Sequence, residues 1–458
     1  MIRSTTETLF RLNRLNEEQQ RISYQISSTK KLQYGSDDAN LFTRDIYLDD
    51  KIKVYEGIKL QIEKTTAQNN VSDSTLGEVK DLLTYVKQEL IKSKTATVDQ
   101  EAREAIAVNL KGVKENLYML ANEQVEGEYI YSGSNSMIQP FTKDSSGKVT
   151  YQGDSFLRKT AVEDGSYREK GVTGFETFLY SSETGLKGEN LEFDKDSRVL
   201  DEGSFEWKLE GVTPATTATS PTTTISFTAD EPLIDENGTV WKLNSSGSAL
   251  ENEDGDAIDV VPSPPAPAPA TSYSVDVAAI TINPVTATAP TELSKMQVVK
   301  YDEEGNATNE TLPVKVGEDR DFQITLPDVD GTKFETKDNT FDVMDKIINA
   351  LELKDEKGNT VPKAVADAEL TEALEMISQA FENANTGHAK LGGRNKVFEI
   401  SIERVSAKIT QFDIMSHDVG AADLTKLAVE SKALEVTFTA LYSTINKMNE
   451  LTLVNFVR

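Results

Sequence analysis

Residues 424–448 place Leu424, Leu427, Ser431, Leu434, Phe438, Leu441, Ile445 and Met448 at alternating steps of three and four. An apolar step near 3.5 residues marks a helix that buries one narrow seam against another helix. The same step opens the chain, where Leu12, Leu15, Gln19, Ile22 and Ile26 recur and Leu9 widens the stripe. The spacing predicts seamed helices over 4–33 and 421–457, and everything between them is an insertion. The last eight residues, "LTLVNFVR", keep Leu451, Leu453, Val454, Phe456 and Val457 apolar where chain ends usually fray in water. Ordering a residue costs about 1–2 kcal/mol, so two long helices sharing one thin seam are marginal on their own. The expectation is that further burial comes from copies of the same chain or a related neighbour. The alternative is a closed bundle in which the terminal helices dock on the chain's own long helices.

Inside these ends, "YGSDDAN" breaks the pattern, with Gly35 read as a C-terminal cap and Ser36 as the acceptor for the next helix's first turn. Asp37 and Asp38 suit the positive end of that helix, and one adjacent pair supplies too few ligands for a metal. A second helix is predicted over 37–94, interrupted near "NNVSDSTLGE", and a third from "TVDQEAREAI", where Thr97 and Gln100 fit a capping box, to Gly127. Residues 140–340 change texture. Pro, Thr and Ala runs at 213–224, 260–272 and 283–290 read as exposed loops. Between them lie short alternating runs such as "PLIDENGTVWKL", whose Asn-Gly step marks a hairpin. "DVDGT" and "NEDGDAID" lack the full calcium-loop spacing and read as hairpin turns. Helical texture returns at "FDVMDKIINALEL" and continues to the end.

Composition excludes several functions. A net charge of −28 with a pI near 4.6 repels phosphate backbones and anionic lipids, so neither nucleic acid nor membrane is an expected partner. The chain has no cysteine and two histidines, His388 and His417, neither in a metal or nucleophile motif. No catalytic residue, metal site or cofactor is expected. No apolar run reaches 18 residues, and the start lacks the h-region of a secretory signal.

Several stretches, taken in order, resemble a known family. "RLNRLNEEQQRISYQISSTKKLQYGSDDANLF" and "TVDQEAREAIAVNLKGVKENLYMLANEQVEGEYIYSGSNSMIQPF" are similar to the N-terminal region of bacterial flagellins and hook-associated proteins. "HAKLGGRNKVFEIS", "SHDVGAADLTKLAVESKALEVTFTAL" and "INKMNELTLVNFV" resemble the C-terminal helices of that superfamily's hook-associated protein 3 branch. One departure is "STKKLQYG", with Lys30 and Lys31, where the family has a Ser-Gly step in "SSGK". The match covers residues 1–141 and 385–458.

The resemblance implies an α+β, elongated, multi-domain chain: a flagellin-like bundle of long helices from both termini with one or two β-rich modules inserted. The expected division is terminal coiled-coil helices at 1–36 and 420–458, a helical bundle from 37–140 and 360–419, and an exposed β-rich part at 141–359. It further implies a structural subunit joining hook to filament, exported unfolded by the flagellar type III apparatus and located outside the cell. Its partners would be copies of itself, the adjacent hook-associated protein, flagellin and an export chaperone that grips the C-terminal helix. The residues expected at these contacts are Leu9, Leu12, Leu15, Ile22, Ile26, Leu424, Leu427, Leu434, Phe438, Leu441, Ile445, Met448, Leu451 and Val454. Filament flagellin and a surface adhesin built on the β-rich centre are the alternative readings.

Overall fold

A computed structural model describes residues 2–95, 99–212, 224–263, 270–277, 280–283 and 289–456. Side chains are described from Thr6 to Lys447, with Thr8 among those omitted, and of the loops predicted at 213–224, 260–272 and 283–290, residues 213–223, 264–269 and 284–288 fall outside this set. The fold is α+β. Seven helices are described: α1 (Ile2–Ser28), α2 (Ala39–Ser93), α3 (Gln100–Ala121), the one-turn α4 (Gly174–Thr177), α5 (Thr340–Leu351), α6 (Lys363–Gly420) and α7 (Leu424–Phe456).

Helix α2 runs unbroken through "NNVSDSTLGE", contrary to the expected interruption. The polar residues there face a shared polar layer: Asn69 Nδ2 donates to Asn395 Oδ1 at 2.6 Å, and the Ser72 and Thr75 hydroxyls donate to carbonyls one turn back. Asp99 caps α3, accepting from the Ala102 N–H at 2.9 Å, and the helix stops at Ala121, six residues short of Gly127. Thr97 lies outside the described residues. In "YGSDDAN" the acceptors are the aspartates, not Ser36. Asp37 takes the N–H groups of Gln33 and Tyr34, and Asp38 takes those of Asn40 and Leu41, which makes it the cap of α2.

The chain divides into two units. The first comprises 1–66, 160–168 and 396–458, and the second 67–159 and 169–395; α2 and α6 each contribute a stretch to both.

In the second unit, Leu76, Leu83 and Leu90 of α2, Leu110 and Leu117 of α3, Phe341 and Ile347 of α5 and Leu370 and Ile377 of α6 form one core. Phe141 and Phe178 insert into it at 5.3 and 6.1 Å from the Phe341 ring. The described strands form a 13-stranded antiparallel sheet, a three-stranded sheet and three two-stranded ribbons. They carry two further apolar cores, one around Phe193, Trp207, Val298 and Phe322 and the other around Phe227, Trp241, Leu250 and Ile258. The edge strand of the small sheet, Val261–Ser263, comes from a stretch read as loop. Pro262 is tolerated there because an edge strand has a side that needs no donor.

One turn recurs along these strands. Asp144, Asp235, Asn252 and Asp302 each accept, through a side-chain oxygen, the N–H groups two and four residues on. A glycine follows at the fourth position with φ between 79° and 90°. This conformation strains any residue with a Cβ. "NEDGDAID" is thus a hairpin turn, as expected. "DVDGT" is a turn between strands that do not pair with each other, so it is no hairpin.

The two tryptophans of the chain sit in near-copies of one hairpin, "DEGSFEWKL" at 201–209 and "DENGTVWKL" at 235–243. In each, the opening aspartate accepts from the indole N–H six residues later, at 3.3 Å from Trp207 and 3.2 Å from Trp241. Each tryptophan anchors one of the two sheet cores.

Candidate assembly interface

Within the first unit, α1 packs along α7. Leu12, Leu15 and Ile22 turn inward on α1, and Leu427, Leu434, Phe438, Leu441 and Ile445 turn inward on α7; only Ile22 and Leu427 are buried outright. The expected seam drifts on α1. Gln19 and Ile26 face outward, and Glu18 and Gln25 take their places. The cause is local. The Gln25 amide donates to the Lys31 carbonyl, which satisfies the turn beyond the helix, and Glu18 holds Arg21 at 2.8 Å, which in turn lies 3.6 Å from Glu430 of α7. Leu9, Ile26 and Leu424 remain 56%, 43% and 50% exposed, outside the α1–α7 seam. The side chains of Met448, Leu451 and Val454 lie outside the described residues.

The helix pair is clasped where α1 ends and α7 begins. Lys30 and Ala421 form an antiparallel bridge; the Lys31 N–H donates to Gly420 O at 2.7 Å and the Ala422 N–H to Thr29 O at 2.9 Å. Thr29 adopts φ +57°, a left-handed conformation disfavoured for a β-branched residue. Thr29 is the residue that stands at the glycine of the resembled "SSGK" step, so the departure lies there, with Lys30 and Lys31 supplying the bridge. Gly420 faces Asp45, whose carboxylate oxygen would stand 2.8 Å from any added Cβ.

Beyond the clasp the first unit has a small core of Tyr55, Ile58, Ile62, Val162, Phe398 and Val405. Lys408 bonds both Glu163 and the Tyr55 hydroxyl, and that hydrogen bond and charge hold the Glu163 carboxyl below the usual range.

Sequence reasoning missed a second apolar stripe. Phe10 on α1 and Val429, Val436 and Tyr442 on α7 are exposed, as are Ile46, Tyr47, Val54 and Leu60 on α2 and Val397, Ile400 and Ile414 on α6. The seven-residue step from Val429 to Val436 is visible in the sequence, but the stronger Leu stripe conceals it. Such an arrangement offers side chains for packing, and among the described residues no three acidic or histidine side chains are grouped to hold a metal ion. His388 Nε2 lies 2.8 Å from Asp73 Oδ1 as a helix-to-helix tie in the second unit, and His417 is exposed near the end of α6.

Residues 3–136 match the family described as the bacterial flagellin N-terminal helical region. The chain is 23% identical over 206 residues to flagellar hook-associated protein 3 of Salmonella typhimurium, a match that spans 40% of this chain and 65% of that relative's length. Two crystal structures align at lower identity. Flagellar hook-associated protein 3 of Legionella pneumophila gives 16% identity and a TM-score of 0.44 over 81% of this chain and 98% of its own. FlgL of Xanthomonas campestris gives 15% and 0.40 over 76% and 93%. Residues 3–136 are thus similar to the bacterial flagellin N-terminal helical region, and a stretch of 206 residues is similar to flagellar hook-associated protein 3.

Proposed function

We propose that this chain is a structural subunit of the bacterial flagellum that joins hook to filament. In this reading its terminal helices, 1–36 and 420–458, pack against neighbouring subunits, the helical stretches 37–140 and 360–419 carry them, and the β-rich part 141–359 faces outward. The observation that carries the reading is the concentration of uncovered apolar side chains on the first unit, including Phe10, Val429 and Val436, beside a helix pair whose own seam is only partly buried. An apolar surface of that kind is covered by copies or close relatives in an assembly.

The partners that follow are further copies, the adjacent hook-associated protein and flagellin. Before assembly, an export chaperone lays the α7 face of Leu434, Phe438, Leu441 and Ile445 in a groove. Export is through the flagellar type III apparatus, and the site of action is outside the cell. The role calls for no catalysis.

Electron microscopy of cells lacking the chain tests the proposal. Bare hooks with flagellin shed into the medium are expected, and restored filaments on re-expression. Normal filaments in the deletion strain would overturn it.

A further inference from the structure

In the second unit, the first turn of α5 meets the sheet across a cavity of about 270 Å³ lined by Lys148, Tyr151, Arg198, Glu206, Trp207 and Asp342. Asp342 sits in that first turn, one helical turn from Asp345 and four residues after Asp338. The acidic neighbours each have a cation of their own. Asp338 is held by Arg320 at 2.8 Å, Asp345 by Lys114 at 2.6 Å and Asp196 by Lys148. Across the cavity, Arg198 is tied to Glu206, Lys208 lies 3.7 Å from the same Glu206, and Lys195 donates to the Gly238 carbonyl. Tyr180, on the strand Leu179–Leu186, and Glu372 of α6, paired with Lys346, complete the titratable surroundings. Among the described residues, no hydrogen bond or ion pair reaches the Asp342 carboxyl.

We propose that Asp342 makes this junction a pH-sensitive joint, closed while its carboxyl is protonated and opened to water through the cavity when the carboxyl ionises. An ionised carboxylate without a donor, set among three other aspartates, is relieved by hydration, and the cavity is the route for that water. Burial foremost, then the charges of Asp196, Asp345 and Asp338, push Asp342 up to about 7 against the opposing pull of Lys148. A hydrated Asp342 in the opened joint returns toward the ordinary aspartate value near 3.9. The closed form therefore keeps a proton that the open form has lost, and opening grows with pH between those two values. It levels off above 7, where both forms are ionised.

Amide hydrogen exchange of the full chain, corrected for intrinsic rates, reads the opening at Met344 to Ile347. The opening constant should rise about tenfold per unit from pH 5 to 7 and stay level to pH 9. Asp342→Asn should abolish the rise, and Asp342→Ser serves as the second variant should the amide disturb folding. Asp345→Asn should leave the rise in place. A flat wild-type profile, a rise that survives in both Asp342 variants, or an Asp342 carboxyl titrating near 4 by carbon NMR would each overturn the joint.

Discussion

The second unit closes three apolar cores over its own side chains, around Phe341, Trp207 and Trp241. The first has one small cluster around Ile62 and Phe398 and a helix pair that, among the described apolar side chains, buries only Ile22 and Leu427 outright. Both units draw on the same two long helices, α2 and α6, so helix propensity does not separate them. What separates them is what lies beside those helices. In the second unit α3 and α5 cover the apolar faces, whereas the first unit offers them the Thr160–Arg168 stretch and leaves Ile46, Leu60 and Ile414 in water. A core that closes on itself stabilises a monomer, and one left open keeps its energy for neighbours.

The largest effect should come from ending the chain after residue 423, which deletes α7. Helix α1 then loses the side chains that cover Leu12, Leu15 and Ile22, and a lone helix of this length is marginal in water. Its amides should exchange at unfolded rates, while the melting of the second unit moves by no more than about 2 °C. Retained protection along α1 would mean the first unit closes without α7, and the contrast would fail.

Next in size is Phe341→Ala. Phe341 is fully buried among Phe141, Phe178 and Tyr118, and its removal should cost about 3–5 kcal/mol in denaturant unfolding of the second unit. The matching change in the first unit, Val436→Ala, removes an exposed side chain and should stay within about 0.5 kcal/mol. Equal costs at the two positions would erase the difference between the units.

Two glycines of α6 sharpen the same point. A Cβ on Gly387 would run into the Glu176 carbonyl, on a segment locked by the Arg394–Glu176 ion pair at 2.8 Å, whereas one on Gly392 meets nothing within 4 Å. Gly387→Ala should therefore destabilise by about 1–3 kcal/mol, and Gly392→Ala should stabilise by about 0.5–1 kcal/mol through helix propensity. A neutral Gly387→Ala would show that the second unit is packed more loosely than its geometry says.

The helices were legible because their periodicity is long. The seam of α7 needs only the steps from Leu427 to Ile445. The break predicted in α2 failed because Asn69 and Ser72 read as loop formers locally, while their partners lie on a distant helix and on the preceding turn. The shift from Gln19 and Ile26 to Glu18 and Gln25 came from a contact with Lys31 beyond the helix end, which no periodic template contains. In the centre the opposite holds. The repeated "DE…WKL" hairpin and the recurring Asp-to-Gly turns were present in the sequence as short-range patterns, and they fix two sheet cores. Their pairing order depends on strands far apart in the chain, such as those that pair Leu191 with Ile324 and Leu179 with Asn339, and local pattern carries no such information.

The smallest effect tests the clasp between α1 and α7. Thr29 holds φ +57° while its carbonyl accepts from Ala422, so the bond keeps the backbone in a conformation that a β-branched residue resists. Relief of that strain is worth about 1–2 kcal/mol, and glycine gives back about 0.5–1 kcal/mol through the freedom of the unfolded chain. Thr29→Gly should thus slow exchange of the Lys31 and Ala422 amides by a few-fold and leave the second unit untouched. Thr29→Val keeps the branching and removes only the hydroxyl, which bonds the Ser28 carbonyl, so it should not reproduce the gain. Faster exchange in Thr29→Gly would mean that the threonine rigidifies the clasp, and that the first unit is held at its helix ends more firmly than its thin seam implies.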